Sequence, residues 1–229
     1  MVGQPEWVPP PAVQRLRITF AKGEEIRFIA HLDLQRTWER VLRRAQAPLA
    51  YTGGFNPHPR LNFAAPLAVG ATGEQEVLDV WLRERRNPAE LLEALRRQAP
   101  TGLRVLTVEE VPMDAPPLQA LVRAAVYRAE LWNDERLSRE EMEERIRALL
   151  ARQHIPRRRE RAGKAAQEYD LRPHILELGI REWDDAAQRW WLHMRLRAGS
   201  EATGRPQDVL EELGVEARVI ARERLELAA

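Results

Sequence analysis

The residues best suited to chemistry lie in one short stretch of the chain, GGFNPHPR at positions 53–60. Gly53 and Gly54 permit backbone angles that other residues resist. Pro57 and Pro59 fix their own φ and push the residues before them toward extended geometry. A connection that only turns the chain does not need so many special residues, so we predict a rigid loop that holds side chains in set directions. The side chains that this loop would present are those of Phe55, Asn56, His58 and Arg60.

A second histidine stands where a helix is predicted to begin. His31 and Asp33 open an apolar periodic segment, and an acidic first turn suits the positive end of a helix dipole. Because histidine titrates near neutrality, His31 and His58 are candidates for general acid–base catalysis. We predict that the helix start and the 53–60 loop face one surface, with Asp33 in support. The alternative, in which the histidines are structural or exposed and Asp33 only begins a helix, stays open.

Metal and cofactor chemistry find no support in the sequence. His31, Asp33, His58 and His174 match no known ligand spacing. The chain has no cysteine, which removes disulfides, thiolate metal sites, iron–sulfur clusters and thiol nucleophiles. It contains no phosphate-binding loop of the G-x-x-x-x-G-K-[ST] kind and no G-x-G-x-x-G after a strand. We therefore predict neither a metal nor a cofactor.

Arginines form a stripe on the predicted first helix, opposite its apolar face, at a spacing of i, i+4, i+7 and i+8. A stripe of this kind is usually solvated surface, yet this helix leads directly into the 53–60 loop. RNA phosphates would pair with such charge, and Phe55 or Tyr51 could stack on a base. The stripe consists of Arg36, Arg40, Arg43 and Arg44.

A second basic segment, RQHIPRRRERAGK at 152–164, holds six basic residues against one glutamate. We interpret it as a flexible loop between a helix and a strand, and a merely solubilising loop is the alternative. The whole chain has a formal net charge of only +1, so two local basic sites favour RNA or another acidic partner. The predicted contacts in this segment are Arg157, Arg158 and Arg159.

The elements that must position these residues follow a recognisable order in the first half of the 229-residue chain. Alternating apolar residues from Arg15 predict a strand, and a helix follows from about His31. After the loop come two strands, a helix that starts at Asn87-Pro88 and a strand that ends at Val111. Strand, helix, strand, strand, helix, strand is the ferredoxin-like, split βαβ arrangement.

The same order recurs in the second half, after a Pro-rich boundary at 112–120. Ser138 and Glu141 form a capping box that opens its first helix. Chance similarity of two helices is the alternative to duplication, but the element order and spacing agree as well. Two local matches support the duplication: NPAELLEAL (87–95) with RPQDVLEEL (205–213), and RVLTVEEV (104–111) with RVIARERL (218–225).

We therefore predict an α+β fold of two antiparallel sheets, each with helices on one face. One ferredoxin-like half covers 15–111, a linker covers 112–120, and the second half, with the basic loop 152–164, covers 121–229. Residues 1–14 are predicted to be a disordered Pro-rich tail. No apolar run approaches the ~20 residues of a membrane span, and the N-terminus lacks the basic start and apolar core of a signal peptide. No membrane association and a cytoplasmic location are expected.

The run from Arg27 to Gly70 resembles the radical-SAM-linked domain family of unknown function. The shared pattern is His-Leu-Asp, an Arg, Gly-Phe-Asn-Pro-His-Pro followed by a basic residue, then Pro-Leu and Gly. YDLRPHI at 169–175 also resembles the family's Asp-x-Arg-Pro segment. The resemblance covers most of residues 15–198. Its motif residues are His31, Leu32, Asp33, Arg36, Gly54 to Arg60, Pro66, Leu67 and Gly70.

This resemblance implies partners more than an activity. Members occur fused behind a radical S-adenosylmethionine domain or as separate short bacterial proteins, often encoded near an RNase G/E-type ribonuclease. A radical SAM protein or such a ribonuclease is therefore an expected partner. The present sequence contains no radical enzyme half and, without cysteine, cannot hold its cluster. A looser resemblance, at the level of fold, links it to the RAMP-type endonucleases that process CRISPR repeat RNA.

The favoured hypothesis is a non-catalytic RNA-binding or adaptor protein associated with RNA processing or modification. The competing hypothesis is an enzyme, either a metal-independent ribonuclease or an RNA-modification enzyme that uses His31 and His58. RNA cleavage by the pure protein in EDTA would separate these two classes.

Overall fold

The computed structural model describes residues 9–132, 137–161, 164–184, 186, 189–199 and 203–228, without the side chains of 159–167. The chain divides into two compact units at the junction of Leu121 and Val122. Both units are mixtures of α-helices and antiparallel strands. Most of the tail predicted for 1–14 lies outside the described residues, and Gln14 already belongs to a strand. None of the helices in the described ranges has the length and apolar content that a membrane crossing requires.

The first unit places its first strand in the middle of its sheet. Its elements are β1 (Gln14–Lys22), α1 (His31–Arg44), β2 (Leu61–Phe63), β3 (Thr72–Leu82), α2 (Pro88–Gln98), β4 (Leu103–Val111) and α3 (Leu118–Leu121). The strands lie in the order β4-β1-β3-β2, and each neighbouring pair is antiparallel. The segment predicted as a linker, 112–120, lies within this unit and contains most of α3.

Helices α1 and α2 form because each has an apolar stripe to bury against the sheet. In β1, Leu16, Ile18 and Phe20 point toward the helices and are fully buried. Trp38 of α1 packs its ring edge against Phe20 with 5.0 Å between ring centroids, a geometry that aromatic pairs favour. Helix α2 begins with Pro88 after Asn87, whose side chain accepts hydrogen bonds from two first-turn N–H groups. One hydrophobic core therefore joins α1, α2 and one face of the sheet.

The second unit repeats this order of elements and adds a separate hairpin. Its elements are β5 (Val122–Trp132), α4 (Arg139–Ala151), β6 (Pro156–Arg161), β7 (Lys164–Asp170), β8 (Ile175–Asp184), β9 (Arg189–Arg197), α5 (Pro206–Leu213) and β10 (Ala217–Leu227). The main strands lie in the order β10-β5-β9-β8 with antiparallel pairing, while β6 pairs with β7 in a separate two-stranded sheet. When the hairpin is left out of the count, β5, β8, β9 and β10 are the first, second, third and fourth strands of this unit. Their spatial order is therefore fourth, first, third, second, as in the first unit.

Sequence signals set the helix boundaries of the second unit. The capping box predicted at Ser138 and Glu141 is present, with both reciprocal hydrogen bonds made. Helix α5 ends at Leu213, and Gly214 after it has a φ of +68°, the left-handed geometry that terminates helices. Alternate residues of β9 from Trp190 to Leu196 are buried, and they belong to this unit's hydrophobic core.

The prediction that residues 152–164 form a flexible basic loop is wrong. Its residues 156–161 form strand β6, which pairs antiparallel with β7. Arg157 lies opposite Tyr169, and Arg158 lies opposite Glu168. Charged residues hide the alternation that normally reveals a strand, so the composition of the segment suggested a flexible loop.

Candidate functional site

The 53–60 segment forms the end of an irregular hairpin beside β3, covering residues 49–60. Thr52 N–H donates to the carbonyl of His58 at 2.8 Å, and Arg60 N–H donates to the carbonyl of Ala50 at 2.8 Å. Tyr51 and Pro59 form an antiparallel bridge between these bonds. The base of the hairpin is also tied to the sheet, because Ala50 N–H donates to the Trp81 carbonyl at 2.8 Å. The 49–60 hairpin is therefore an ordered projection from the sheet, as a rigid loop requires.

The tip of this hairpin depends on one glycine. Gly54 has a φ of +98°, which L-residues with a Cβ rarely adopt. Gly53 has no such requirement, and a Cβ built there would meet only Pro9 at an ordinary 3.7 Å. His58 N–H donates to the Thr52 hydroxyl at 3.0 Å, which closes the tip from within.

Phe55 lies at the tip with 98 % of its surface exposed. Asn56, Pro57 and His58 beside it are also exposed, and Pro59 is half-buried. An exposed aromatic ring at a fixed position can stack on a nucleic-acid base or enter a protein pocket. The structure thus brings Phe55, Asn56 and His58 together on one projection.

Arg60 anchors the returning strand of the hairpin. Its guanidinium group lies over the Trp81 ring, 4.8 Å from the ring centroid, and the guanidinium of Arg15 lies over the same ring at 4.8 Å. Arg15 is only 2 % exposed and pairs with the fully buried Asp79 at 2.6 Å. It also donates to the carbonyl of Ala115 at 2.6 Å. The sequence carries no local signal of this buried ion pair, because Arg15 and Asp79 lie 64 residues apart along the chain.

His31 lies on the other face of the sheet from Arg60. Its half-buried ring packs edge-on against Phe63, with 5.1 Å between centroids, and Phe63 belongs to the core beneath the helices. Arg60 lies over Trp81, which alternates with the buried Val80 and Leu82 and so faces the opposite way. The prediction that all the candidate residues face one surface is therefore wrong for this pair, since the register of β2 on β3 separates them.

His58 is exposed in the 49–60 hairpin, where residues 52–58 lie outside the strands of the sheet. Strand alternation therefore does not fix the direction of its side chain, and a surface shared by His31 and His58 stays a prediction. Asp33 is exposed and accepts a hydrogen bond from Arg36 at 3.3 Å. Among the described residues, no group of three His, Asp or Glu side chains could hold a metal ion.

The four arginines of the α1 stripe are exposed along the helix. Arg36 pairs with Asp33 at 3.3 Å and Arg43 reaches Glu39 at 4.0 Å. Exposed ion pairs of this kind contribute little, about 0–1 kcal/mol, and salt screens them. Their charge therefore remains available to an anionic ligand. The exposed members are Arg36, Arg40, Arg43 and Arg44.

Arg157 of β6 does not face solvent as an RNA contact would. Its side chain is 22 % exposed, bonds to Glu211 and to Glu212 at 2.9 Å, and lies 3.9 Å from Asp208. Burial lowers the pKa of Arg157, but the hydrogen bonds and charges of these α5 carboxylates outweigh it, so the pKa is raised. The assignment of Arg157 as an RNA contact is corrected: this residue ties the hairpin to α5. Arg158 is exposed, and the side chain of Arg159 is not among those described.

A hydrogen-bonded aspartate that the sequence did not reveal closes the root of the same hairpin. Asp170 accepts from the backbone N–H of Ile155 at 2.8 Å and from that of Arg172 at 3.0 Å, and its other oxygen lies 2.9 Å from His154 Nδ1. The Ile155 bond first, then the His154 bond, lower the pKa of Asp170 to about 2, against an opposing effect of burial. The resemblance had pointed to this Asp-x-Arg-Pro segment, and its aspartate fixes the local backbone.

Comparison with solved structures shows a likeness of fold. A chain of the "Cbf5-Nop10-Gar1 Complex" is 11 % identical with a TM-score of 0.54, over 98 % of this chain and 55 % of that chain. A chain of the "archaeal box H/ACA sRNP Nop10-Cbf5 complex" is 14 % identical over 97 % of this chain and 53 % of that one, but its TM-score of 0.46 is too low to support an argument. The present chain thus spans about half the length of the solved chains it resembles.

Sequence comparison places the chain more firmly. No curated protein matches it. A family model described as "Uncharacterized protein conserved in bacteria" matches residues 15–206, from β1 to the start of α5, and so includes α1 and both hairpins. The chain therefore belongs to this bacterial family, DUF2344.

Proposed function

We propose that this protein binds single-stranded RNA, without catalysis, through the 49–60 hairpin of its first unit. The observation that carries the proposal is the position of Phe55, which is 98 % exposed at the tip of a hairpin whose base is hydrogen-bonded to the sheet. Base–aromatic stacking contributes about 1–3 kcal/mol per base and tolerates any base, because every base has a π-face. Duplex RNA offers no unstacked base to such a ring, so the substrate class is the unpaired strand.

Charge near the hairpin supports phosphate contacts. Arg60 is exposed on the returning strand while its guanidinium lies over Trp81. Arg43 and Arg44 lie at the end of α1, only a few residues before the hairpin begins at Leu49. Arginine is well suited to phosphate because its planar fork donates two parallel hydrogen bonds. Phe55 would hold a base while these arginines hold the adjoining backbone.

We further infer that the two units are ferredoxin-like halves that arose by duplication. In each unit the strands run in the order fourth, first, third, second, all antiparallel, with helices in the two crossovers. The matched segments 87–95 with 205–213 and 104–111 with 218–225 occupy α2 with α5 and β4 with β10. Sequence similarity at corresponding positions of two like folds is what a duplication predicts.

A protein partner is the second candidate, and exposed apolar side chains near the start of α1 favour it. Phe28 is 69 % exposed, Leu32 64 % and Val69 58 %. Phe28 lies beside Gly70, since a Cβ on that glycine would meet its ring at 3.8 Å. Large apolar side chains exposed together often mark protein contacts. By resemblance, the expected partners are a radical SAM protein or an RNase G/E-type ribonuclease, and RNA recognition would then make this chain their adaptor.

The catalytic alternative requires His31 and His58 to act together, whereas the His31 ring packs against Phe63 of the core and His58 is exposed on the 49–60 hairpin. The test uses a labelled RNA pool, the pure protein and EDTA. We expect RNA to be retained uncleaved by the wild type. Cleavage that disappears in both His31→Ala and His58→Ala would instead establish the metal-independent ribonuclease.

A further inference from the structure

The two hairpins occupy the same position in their respective units. In the first unit, α1 ends at Arg44, the 49–60 hairpin follows, and β2 begins at Leu61. In the second unit, α4 ends at Ala151, the β6–β7 hairpin follows, and β8 begins at Ile175. Connections between such elements usually need only about 2–6 residues. Both units have instead kept a longer antiparallel projection between their first long helix and second sheet strand.

We propose that the β6–β7 hairpin is a second RNA-contacting arm, which takes backbone phosphates through Arg158, and that Arg157 positions this arm. The proposal rests on the proposed RNA-binding function and assigns a different task to each unit. The first unit supplies an aromatic ring for a base, and the second supplies fixed positive charge for the backbone. Phosphate contacts position a strand without reading its sequence, so the second arm would add affinity more than specificity.

One face of the β6–β7 hairpin contacts α5. Arg157 and its cross-strand partner Tyr169 point the same way. Arg157 bonds to Glu211 and Glu212, and the Tyr169 hydroxyl donates to Asp208. These carboxylates all belong to one short helix, α5, so they hold the hairpin at several points. A strand held this way presents its other face in a set direction.

The opposite face of the hairpin carries Arg158. It follows Arg157 in the strand, so its side chain points away from α5, and it is exposed. A guanidinium on an anchored strand loses less conformational freedom on binding than one on a flexible loop. Glu168 lies directly across from Arg158 and is also exposed. Its negative charge opposes phosphate binding at the same place, which provides a second way to test the arm.

The root of the hairpin is fixed as well. Asp170 at the end of β7 accepts the backbone N–H of Ile155, just before β6 begins. Arg152, which directly follows α4, pairs with Glu212 of α5 at 2.6 Å. The two strands therefore leave the unit from a closed base, and the orientation of Arg158 follows from the fold rather than from a ligand.

The experiment measures the affinity of the whole chain for a labelled single-stranded RNA across a salt series, together with its melting temperature. Arg158→Ala should weaken binding, flatten the slope of log affinity against log salt by about 0.7, and leave the melting temperature unchanged. Glu168→Gln should tighten binding, because it removes the opposing charge. Arg139→Ala is the matched control: Arg139 is an exposed arginine of the same unit, at the far end of α4 from the hairpin.

Arg157 should behave differently from Arg158. Arg157→Ala should lower the melting temperature and weaken binding while retaining the wild-type salt slope, because it loosens the arm without removing a phosphate contact. Arg157→Lys should recover part of the melting temperature and part of the RNA affinity. If Arg157→Ala instead flattens the slope of log affinity against log salt and leaves the melting temperature unchanged, Arg157 does not act by positioning the arm.

The remaining outcomes separate this inference from the function on which it rests. If the wild type binds RNA but Arg158→Ala and Glu168→Gln leave affinity and slope unchanged, the second arm is wrong and the first stands. If the wild type fails to bind at low salt, the RNA-binding function itself is wrong.

Discussion

The guanidinium group of Arg60 lies over the indole ring of Trp81, 4.8 Å from its centroid. Arg15 lies over the same ring and is bonded to the buried Asp79. The returning strand of the 49–60 hairpin is thereby joined to a buried ion pair of the sheet. A tip built on such a base is already ordered before a ligand arrives, so less of the binding free energy is lost to ordering.

Phe55→Ala should reduce RNA affinity without affecting the fold. Loss of one stacked base corresponds to about 1–3 kcal/mol, or roughly a 5- to 150-fold weaker complex. Stability should change by less than about 0.5 kcal/mol, because the ring contacts almost nothing in the free protein. Fluorescence anisotropy with a labelled single-stranded RNA and thermal melting measure the two effects. Phe28→Ala, which removes another exposed ring of this unit outside the hairpin, should leave affinity unchanged.

The two adjacent glycines of the hairpin should respond differently to alanine. Gly54→Ala should cost about 1 kcal/mol or more of stability, because alanine strains at the φ of +98°. The tip would also shift, and RNA affinity should fall with it. Gly53→Ala should retain stability and binding, because its Cβ meets only an ordinary contact. Equal behaviour of the two variants, measured by urea unfolding and by anisotropy, would contradict the fixed tip.

Asp79→Asn should be one of the most destabilising single substitutions in the first unit. Asp79 is fully buried and pairs with Arg15 at 2.6 Å and Arg17 at 2.9 Å. Removing one charge of a buried pair leaves the other uncompensated, which costs about 3–5 kcal/mol. Asp33→Asn is the matched control, since its exposed pair with Arg36 should cost about 1 kcal/mol or less. Urea denaturation compares the two, and a similar loss in both would refute this explanation.

Asp170 makes stability depend on acid pH. Its folded-state pKa is lowered to about 2, below the ordinary value near 3.9. The carboxylate therefore stabilises the folded state above about pH 5, and this contribution is lost as the pH falls through about 2. Melting temperatures of the wild type and Asp170→Asn should differ most between about pH 5 and 7 and converge toward pH 2. If the difference in melting temperature between the two proteins grew as the pH fell, the stabilising role of the Asp170 carboxylate would be contradicted.

Helices and sheet strands could be predicted from the sequence because each buries one apolar face. The alternation of Leu16, Ile18 and Phe20 corresponds to β1, and the apolar stripe after His31 corresponds to α1, which begins at that residue. The capping box at Ser138 is likewise a local signal, set by residues three apart. In each case the information lies within a few residues of the element that it specifies.

The β6–β7 hairpin could not be predicted in this way. Its first strand, PRRRER, has no apolar alternation, and it is held by cross-strand pairing and by carboxylates of α5 about fifty residues later in the chain. Long-range ion pairs leave no local pattern, so Arg157 looked like its exposed neighbour Arg158. The same holds for His31 and Arg60, because the face on which each lies depends on the register of β2 with β3.

The central claim is that the first unit binds an unpaired RNA strand through Phe55. Its most direct test is the affinity of the wild type and Phe55→Ala for one labelled RNA, as single strand and as duplex, between roughly 50 and 200 mM salt. We expect the wild type to bind the single strand more tightly than the duplex, and the logarithm of its affinity to fall linearly with the logarithm of the salt concentration. Phe55→Ala should no longer prefer the single strand. No binding at the lowest salt, or equal affinity of both proteins for the single strand, would contradict the claim.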